Sequence, residues 1–160
     1  MLKEIARAWR NGGLMKDVIR ELAEMVADAE YVYSKAWDAC LGLVDLQEME
    51  QPLRERDKQI NSRERHIRRM LLEHATLNPG RDISGCLAVM TMAKDAERMG
   101  DLSKEVFRLS MRLNGSVREL KYFSRLEEIQ QSILHEFPLL QQAVRKSDED
   151  AVDALFEHYQ

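Results

Sequence analysis

The longest regular pattern in the chain is a stripe of apolar residues between positions 14 and 46, spaced only by three and four. This is the period of one face of an α-helix. At 1.5 Å per residue the helix would be roughly 45–50 Å long, so we expect partner helices of similar length. The stripe consists of Leu14, Val18, Leu22, Met25, Ala29, Tyr33, Ala36, Cys40 and Val44.

Similar periodicity predicts three more long helices, separated by short polar breaks. Pro52 is tolerated in the first turn of a helix, so we start the second helix near Glu50. Pro138 falls inside the fourth helix and should interrupt or kink it. Including two short terminal helices, the predicted helices cover residues 1–10, 14–46, 50–77, 82–113, 117–146 and 151–159.

Consecutive long helices with short connections favour an all-α fold, an antiparallel up-down bundle. Composition agrees, because the 160 residues include only 7 Gly and 3 Pro, and aromatic residues make up 6%. Few turn-forming residues and few β-favouring aromatics are typical of a small number of long helices. A chain of this length is expected to form a single helical domain over residues 1–160.

Charge and cysteine usage exclude some classes of function. The net charge is −4, which does not favour nucleic acid as a partner. No apolar run reaches the length of a membrane span, and the mixed charges at the N-terminus do not resemble a secretory signal. Cys40 and Cys86 lie in apolar helical contexts without a CxxC partner, which predicts free thiols in a reducing compartment. We therefore expect a cytoplasmic protein with at most peripheral membrane association.

The third helix carries a stripe that begins apolar and becomes acidic. Ile83, Leu87 and Met90 are followed at the same spacing by Lys94, then by Glu97 and Asp101. If this stripe faces the core, its carboxylates need compensation, because unpaired charges are costly to bury. Three explanations remain open at this point: a bound metal ion, pairing with Arg or Lys, and exposure at the end of the bundle.

In an up-down bundle, the start of the second helix and the end of the third helix lie at the same end. Asp57, Asn61 and Glu64 should therefore approach Glu97 and Asp101. Oxygen ligands from two facing helices could complete the shell of one cation, with Mg²⁺, Ca²⁺ or Mn²⁺ favoured by hardness. The spacing of four is weak by itself, since five other acid pairs in the chain share it.

No constellation in the sequence favours an enzyme. The paired Glu-x-x-His motifs of carboxylate-bridged di-iron enzymes are missing, since none of the four histidines follows a glutamate at that spacing. The sequence also lacks a nucleophile–base arrangement, a glycine-rich phosphate loop and a dinucleotide fingerprint.

One face of the second helix is basic, with Arg54, Lys58, Arg65 and Arg69 in register. Such a face can bind phosphate, lipid headgroups or an acidic protein. The simpler interpretation is a solvated face with acids such as Glu55 interleaved.

Three motifs together resemble the PhoU family. The match covers about residues 14–113, one complete three-helix repeat, while residues 114–160 resemble the start of a second repeat that lacks its own acidic motif. The motifs are Asp95-Ala-Glu97-Arg98-Met99-Gly100-Asp101, Asp57-x-x-Ile60-Asn61-x-x-Glu64-x-x-Ile67 and Pro79-x-x-Asp82-Ile83.

The resemblance implies a cytoplasmic, non-enzymatic regulator of phosphate uptake and phosphate signalling. Its partners would be a phosphate transporter or a phosphate-sensing histidine kinase. Family members bind iron or zinc clusters, or other divalent cations, through these acidic motifs. Carried over by position, the candidate ligands are Asp57, Asn61, Glu97 and Asp101, followed by Glu64.

Two positions depart from the family pattern. Asn61 weakens a site made only of carboxylates, although an amide oxygen can still bind a metal, and Ser84 stands where an arginine often follows the loop.

A second hypothesis is an interaction module that works without metal, as a helical homodimer. An incomplete second repeat should leave apolar helix faces uncovered, and Ile129, Ile133 and Phe137 are the candidates. Uncovered apolar faces favour self-association.

Overall fold

The computed structural model describes residues 13–80, 83–113, 116–146 and 149–157, and no β-strand occurs among them. This confirms the predicted all-α fold. The helices are α1 (Gly13–Cys40), α2 (Leu46–Leu77), α3 (Ile83–Ser110), α4 (Phe123–Lys146) and α5 (Glu149–Glu157), with a 3₁₀ turn at Val117–Glu119. None of the helices in these ranges is long and apolar enough to cross a membrane.

Helix α1 lies at the centre of the bundle and packs against α2, α3 and α4, while α5 packs on α4. Inter-helix contacts show that α1 and α2, which are consecutive in the chain, run antiparallel. Arg56 reaches Asp28, whereas Arg63, further along α2, also reaches Glu21, which is earlier in α1. Gln141 of α4 bonds to Glu30 of α1.

Two helix boundaries differ from the predictions because of local turn chemistry. Helix α1 ends at Cys40 rather than near residue 46, and Gly42 follows it with a φ of 71°. Asp45 then caps α2 by accepting hydrogen bonds from the backbone N–H groups of Gln47 and Glu48. Because this cap starts α2 at Leu46, the helix begins four residues earlier than predicted.

The C-terminal boundaries also differ. Helix α3 ends at Ser110 rather than at 113, and the predicted start of the fourth helix is the separate 3₁₀ turn, capped by Ser116. Pro138 lies inside α4 without ending it. The predictions for the first short helix and its break, the Asp82 cap, the Asn114-Gly115 break and the Ser147-Asp148 cap fall outside the described residues.

The predicted core face of α3 was wrong. Ile83 and Leu87 are exposed, and the face that packs into the bundle consists mainly of small residues. Small side chains let the helices approach closely. A prediction based on the spacing of large apolar residues does not detect such a face. The residues buried on α3 are Gly85, Cys86, Val89, Ala93, Ala96, Gly100, Ser103, Phe107 and Ser110.

Helices α2 and α3 lie in close contact at Gly100. A Cβ atom placed there would lie 2.8 Å from Cδ1 of Ile60, a fully buried side chain. The glycine of the Glu97–Asp101 motif therefore permits the helix contact that brings the ends of α2 and α3 together.

Helix α4 covers more of its apolar surface than predicted. Phe137 is buried and its ring lies 6.1 Å from that of Tyr33, and Ile133 is partly buried against the same core. Only Ile129 of the three candidate residues is exposed, together with Tyr122 and Leu126. The uncovered apolar face is thus confined to the first half of α4.

Candidate functional site

The structure brings Asp57 and Asp101 together around one lysine. The Nζ atom of Lys104 lies 2.7 Å from a carboxylate oxygen of Asp57 on α2 and 2.8 Å from one of Asp101 on α3. We call these three residues the Lys104 cluster. The predicted convergence of α2 and α3 carboxylates therefore occurs here, and a lysine of the chain compensates the charge.

Asn61 joins this cluster from one turn further along α2. Its side-chain amide donates to the backbone carbonyl of Asp57 at 2.9 Å, with a carboxylate oxygen of the same residue at 3.5 Å. The amide nitrogen thus faces Asp57 and helps to position the Asp57 carboxylate.

The two remaining candidate residues pair with cations of their own helices. Glu97 accepts from Lys94 at 2.6 Å, and Glu64 from Arg68 at 2.6 Å. Glu64 is buried, and Glu97 is largely covered. The structure therefore divides the five predicted residues into one shared cluster and two separate ion pairs.

This arrangement does not fit a metal centre. The ammonium group of Lys104 occupies the position between Asp57 and Asp101 that a cation would need. Among the described residues, no group of three or more His, Cys, Asp or Glu side chains is placed to hold a metal ion. Of the three explanations left open by the sequence, pairing with lysine or arginine describes these contacts.

The lysine is well held in its charged form. Burial lowers the pKa of Lys104, but hydrogen bonds and charge attraction from Asp101 and Asp57 outweigh this and raise its pKa above the ordinary value. The ammonium therefore stays charged throughout the physiological range.

A second charged network lies on the side of α2 that faces α1, and the sequence analysis did not predict it. Arg63 contacts three carboxylates of α1: Asp28 and Glu24, with its Nη2 atom 2.7 Å from Glu24, and Glu21, with its Nε atom at 3.3 Å. We call this the Arg63 network. Asp28 is buried with only 5% of its side chain exposed, so this network lies deeper than the Lys104 cluster.

Arg56 completes the Arg63 network. It pairs with the second carboxylate oxygen of Asp28, and its guanidinium lies 4.7 Å from the ring centroid of Tyr31. The spacing of seven between Glu21 and Asp28, matched by seven between Arg56 and Arg63, is the signal that could have predicted it. Residues seven apart share a helix face.

The basic face predicted on α2 is present and exposed. None of its four side chains forms an ion pair with a described residue, whereas Arg56, Arg63 and Arg68 on the same helix are all paired. We call this face the α2 basic stripe, formed by Arg54, Lys58, Arg65 and Arg69.

The cysteines do not form a site. Cys40 and Cys86 are both buried and are not joined in a disulfide, and burial raises the pKa of the Cys40 thiol. A raised pKa keeps that thiol protonated and unreactive.

The chain matches the family model of the PhoU domain over residues 15–109. This is more than half of the chain and covers α2 and nearly all of α1 and α3. Neither a curated protein nor a solved structure matches the chain.

Proposed function

This chain belongs to the PhoU family, and from that premise we propose that it regulates phosphate uptake and phosphate signalling in the cytoplasm. It acts by binding a phosphate transporter or a phosphate-sensing histidine kinase rather than by catalysis. The PhoU domain itself links the chain to phosphate-related regulation. The identity of the partner and the direction of control are part of the proposal.

The observation that carries the proposal is the position of the family-like motif. Asp101 leaves 48% of its side chain exposed, whereas Glu97 is largely covered. Exposed ion pairs add little to stability. Because folding gains little from the ion pair of Asp101, a contact with a partner protein is the better explanation for this residue.

The Lys104 cluster has the properties of a polar contact surface. Asp57 is fixed by Lys104 and Asn61, while the exposed part of Asp101 remains open to an approaching cation such as a partner's arginine. Charged groups at the rim of an interface mainly set specificity and association rate. We therefore propose that this cluster selects the partner.

Divalent metal binding at Asp57, Asn61, Glu64, Glu97 and Asp101 stays a prediction. The present contacts do not support it, since each carboxylate already has a lysine or arginine partner. Elemental analysis of the purified chain, with and without Glu97→Gln/Asp101→Asn, tests it directly. Stoichiometric metal that disappears in the double variant would establish a metal site.

Deletion of the gene in its own cell tests the regulatory role. In phosphate-replete medium, we expect the deletion to change the rate of inorganic phosphate uptake and the output of a reporter for the phosphate-starvation response, and the full chain to restore both. Unchanged uptake and unchanged reporter output in the deletion strain would refute the proposal.

The alternative function is a metal-free helical module that acts as a homodimer. The exposed apolar face formed by Tyr122, Leu126 and Ile129 favours it, because contiguous exposed apolar residues promote association. Light scattering on the wild type and on Leu126→Ser/Ile129→Ser tests this idea. A dimer that the double variant converts to monomer would support it, whereas a monomeric wild type would exclude it.

A further inference from the structure

We propose that the α2 basic stripe and the apolar tip of the α2–α3 hairpin dock the protein on an anionic membrane surface. The stripe consists of Arg54, Lys58, Arg65 and Arg69. The tip consists of four exposed residues on both sides of the connection between the helices: Leu72, Leu77, Ile83 and Leu87.

The stripe carries cations that no ion pair holds. The chain has a net charge of −4, yet the four cations of the stripe form no ion pair with a described residue. Asp57 and Glu64 border the stripe on one side and pair with Lys104 and Arg68. Three exposed acids also lie beside the stripe without pairing with its cations, namely Glu50, Glu55 and Glu73. The four cations outnumber them, so the face keeps an excess of positive charge.

The four cations of the stripe are aligned along the helix. Arg54 and Arg69 are fifteen residues apart, so the stripe is about 22 Å long at the α-helical rise. Their spacing places all four cations within about one sixth of the helix circumference. A straight row of cations on a rigid helix can contact a flat surface with all of its charges at once.

Exposed apolar residues lie at the end of the stripe. Leu72 continues the line of the stripe with 63% of its surface exposed, and Leu77, the last residue of α2, has 79% exposed. Ile83 and Leu87 begin α3 at the same end of the bundle and are exposed as well. Cations beside exposed leucines are the pattern of helices that lie in a membrane interface.

The net negative charge of the chain does not prevent this contact. At physiological ionic strength the screening length is about 8 Å. Repulsion between the membrane and acidic residues on the far side of the bundle is therefore largely screened. Each cation near an anionic surface raises the binding affinity about fivefold, and four together raise it on the order of several hundredfold.

An anionic membrane explains the surface better than an acidic protein does. Exposed apolar residues also occur elsewhere, for example Leu102 and Leu109, but the four at the tip lie at the end of the stripe. There the hairpin can insert them while the stripe lies on the headgroups. An acidic protein segment would account for the cations and leave the exposed tip unexplained. The membrane proposal does not depend on the proposed regulatory role, although it would place the chain beside a transporter.

The test is co-sedimentation of the purified full chain with vesicles. The probes are pure phosphatidylcholine vesicles and phosphatidylcholine vesicles with about 30% phosphatidylglycerol. We expect binding to the anionic vesicles only, and its loss at about 1 M salt, where screening reaches a few ångströms. Failure of the protein to sediment with either kind of vesicle, or equal binding to both, would overturn the proposal.

Three variants assign the binding to this face. Charge reversal of the stripe (Arg54→Glu/Lys58→Glu/Arg65→Glu/Arg69→Glu) should weaken it at least about a hundredfold. Leu72→Ser/Leu87→Ser should weaken it about tenfold through lost insertion. Glu73→Lys, which replaces an exposed acid next to Leu72, should strengthen it about tenfold.

A matched control separates this face from charge in general. It reverses four exposed cations elsewhere on the bundle, changing the net charge equally, and circular dichroism checks that every variant is folded. The control is Lys16→Glu/Arg118→Glu/Arg125→Glu/Arg145→Glu. Retained vesicle binding by the control supports the proposal, and an equal loss in control and stripe variants overturns it. Altered phosphate uptake without vesicle binding would remove this proposal and leave the regulatory one standing.

Discussion

Helix α2 carries a charged network on each of two sides, and the two differ in the exposure of their most covered carboxylate, which is 5% for Asp28 and 17% for Asp57. The Arg63 network faces α1, where one guanidinium spans three carboxylates and Asp28 is almost completely buried. The Lys104 cluster faces α3, where one ammonium joins two carboxylates and Asp101 stays half exposed. Removing the partner of a buried carboxylate strongly lowers the free energy of unfolding, whereas water stabilises an exposed carboxylate that has lost its partner. We therefore assign the Arg63 network to folding and the Lys104 cluster to recognition.

The largest effect is expected from Arg63→Ala. Removal of the guanidinium leaves buried Asp28 with Arg56 as its remaining partner and frees Glu24, so the free energy of unfolding should fall by about 3 kcal/mol. Urea denaturation measures it. Arg20→Ala, which breaks an exposed ion pair with Asp17, is the control and should cost less than about 0.5 kcal/mol. Equal effects of the two variants would remove the distinction between the networks.

A packing substitution tests how the Lys104 cluster is assembled. Gly100→Val places methyl groups against Ile60, where even a Cβ atom would lie only 2.8 Å from Cδ1. We expect a loss of about 2 kcal/mol from overpacking. Ile60→Val removes the atom that clashes, so a double-mutant cycle measured by denaturation should show favourable coupling. Strictly additive effects would mean that α2 and α3 do not meet at this glycine.

A smaller effect is expected at the lysine itself. Lys104→Met should lower the free energy of unfolding by less than about 1 kcal/mol, because the cluster is partly exposed and water can replace the ammonium. Thermal denaturation against the wild type measures it. A loss as large as that of Arg63→Ala would contradict the assignment of this cluster to the surface.

The same variant also tests whether the ammonium excludes metal. Once Lys104 is removed, Asp57 and Asp101 are free to bind a divalent cation, so added Mn²⁺ should stabilise Lys104→Met more than the wild type. Thermal denaturation with and without Mn²⁺ provides the comparison. Stabilisation of the wild type to the same degree would show that the lysine does not compete with metal.

The smallest effect is a pH dependence at high pH. The pKa of Lys104 is raised in the folded state, so its contribution is fully present below the unfolded value of about 10.4 and is lost as the pH rises through the folded value. Burial also raises the pKa of Cys40 and Tyr33, which lowers stability at alkaline pH in every variant. The difference between wild type and Lys104→Met should therefore shrink above the lysine pKa. A difference that stays constant would contradict the linkage.

The sequence was most informative where large apolar residues form the core. The stripe of α1 follows Val18, Leu22, Met25 and Ala29, all of which are buried, and the all-α fold follows from such stripes. In α3 the same reasoning wrongly chose Ile83 and Leu87, because the buried face consists mainly of small residues and contains only two large apolar ones, Val89 and Phe107. A close helix contact needs small residues, and small residues carry little hydrophobic signal.

The approach of Asp57 to Asp101 was predicted from the sequence, whereas metal binding by the five candidate residues stays a prediction. Topology and the motif correctly brought Asp57 to Asp101, but spacing could not show that Lys104, one turn beyond the motif, would join them. The ends of α1 and α2 depended on Asp45 and Gly42, whose cap and positive φ are local features that periodicity does not contain. The Arg63 network required pairing of two helix faces, which no single-helix pattern reveals.

The most direct test of the account compares phosphate uptake by cells whose own gene is replaced with variants of the Lys104 cluster. Asp57→Asn/Asp101→Asn removes the proposed recognition charges, and Arg125→Ala/Glu128→Ala, which removes an exposed ion pair of α4, is the matched control. At equal protein levels, we predict that the cluster variant fails to restore normal uptake in phosphate-replete medium while the control restores it. Full restoration by the cluster variant would contradict the assignment of this surface to regulation.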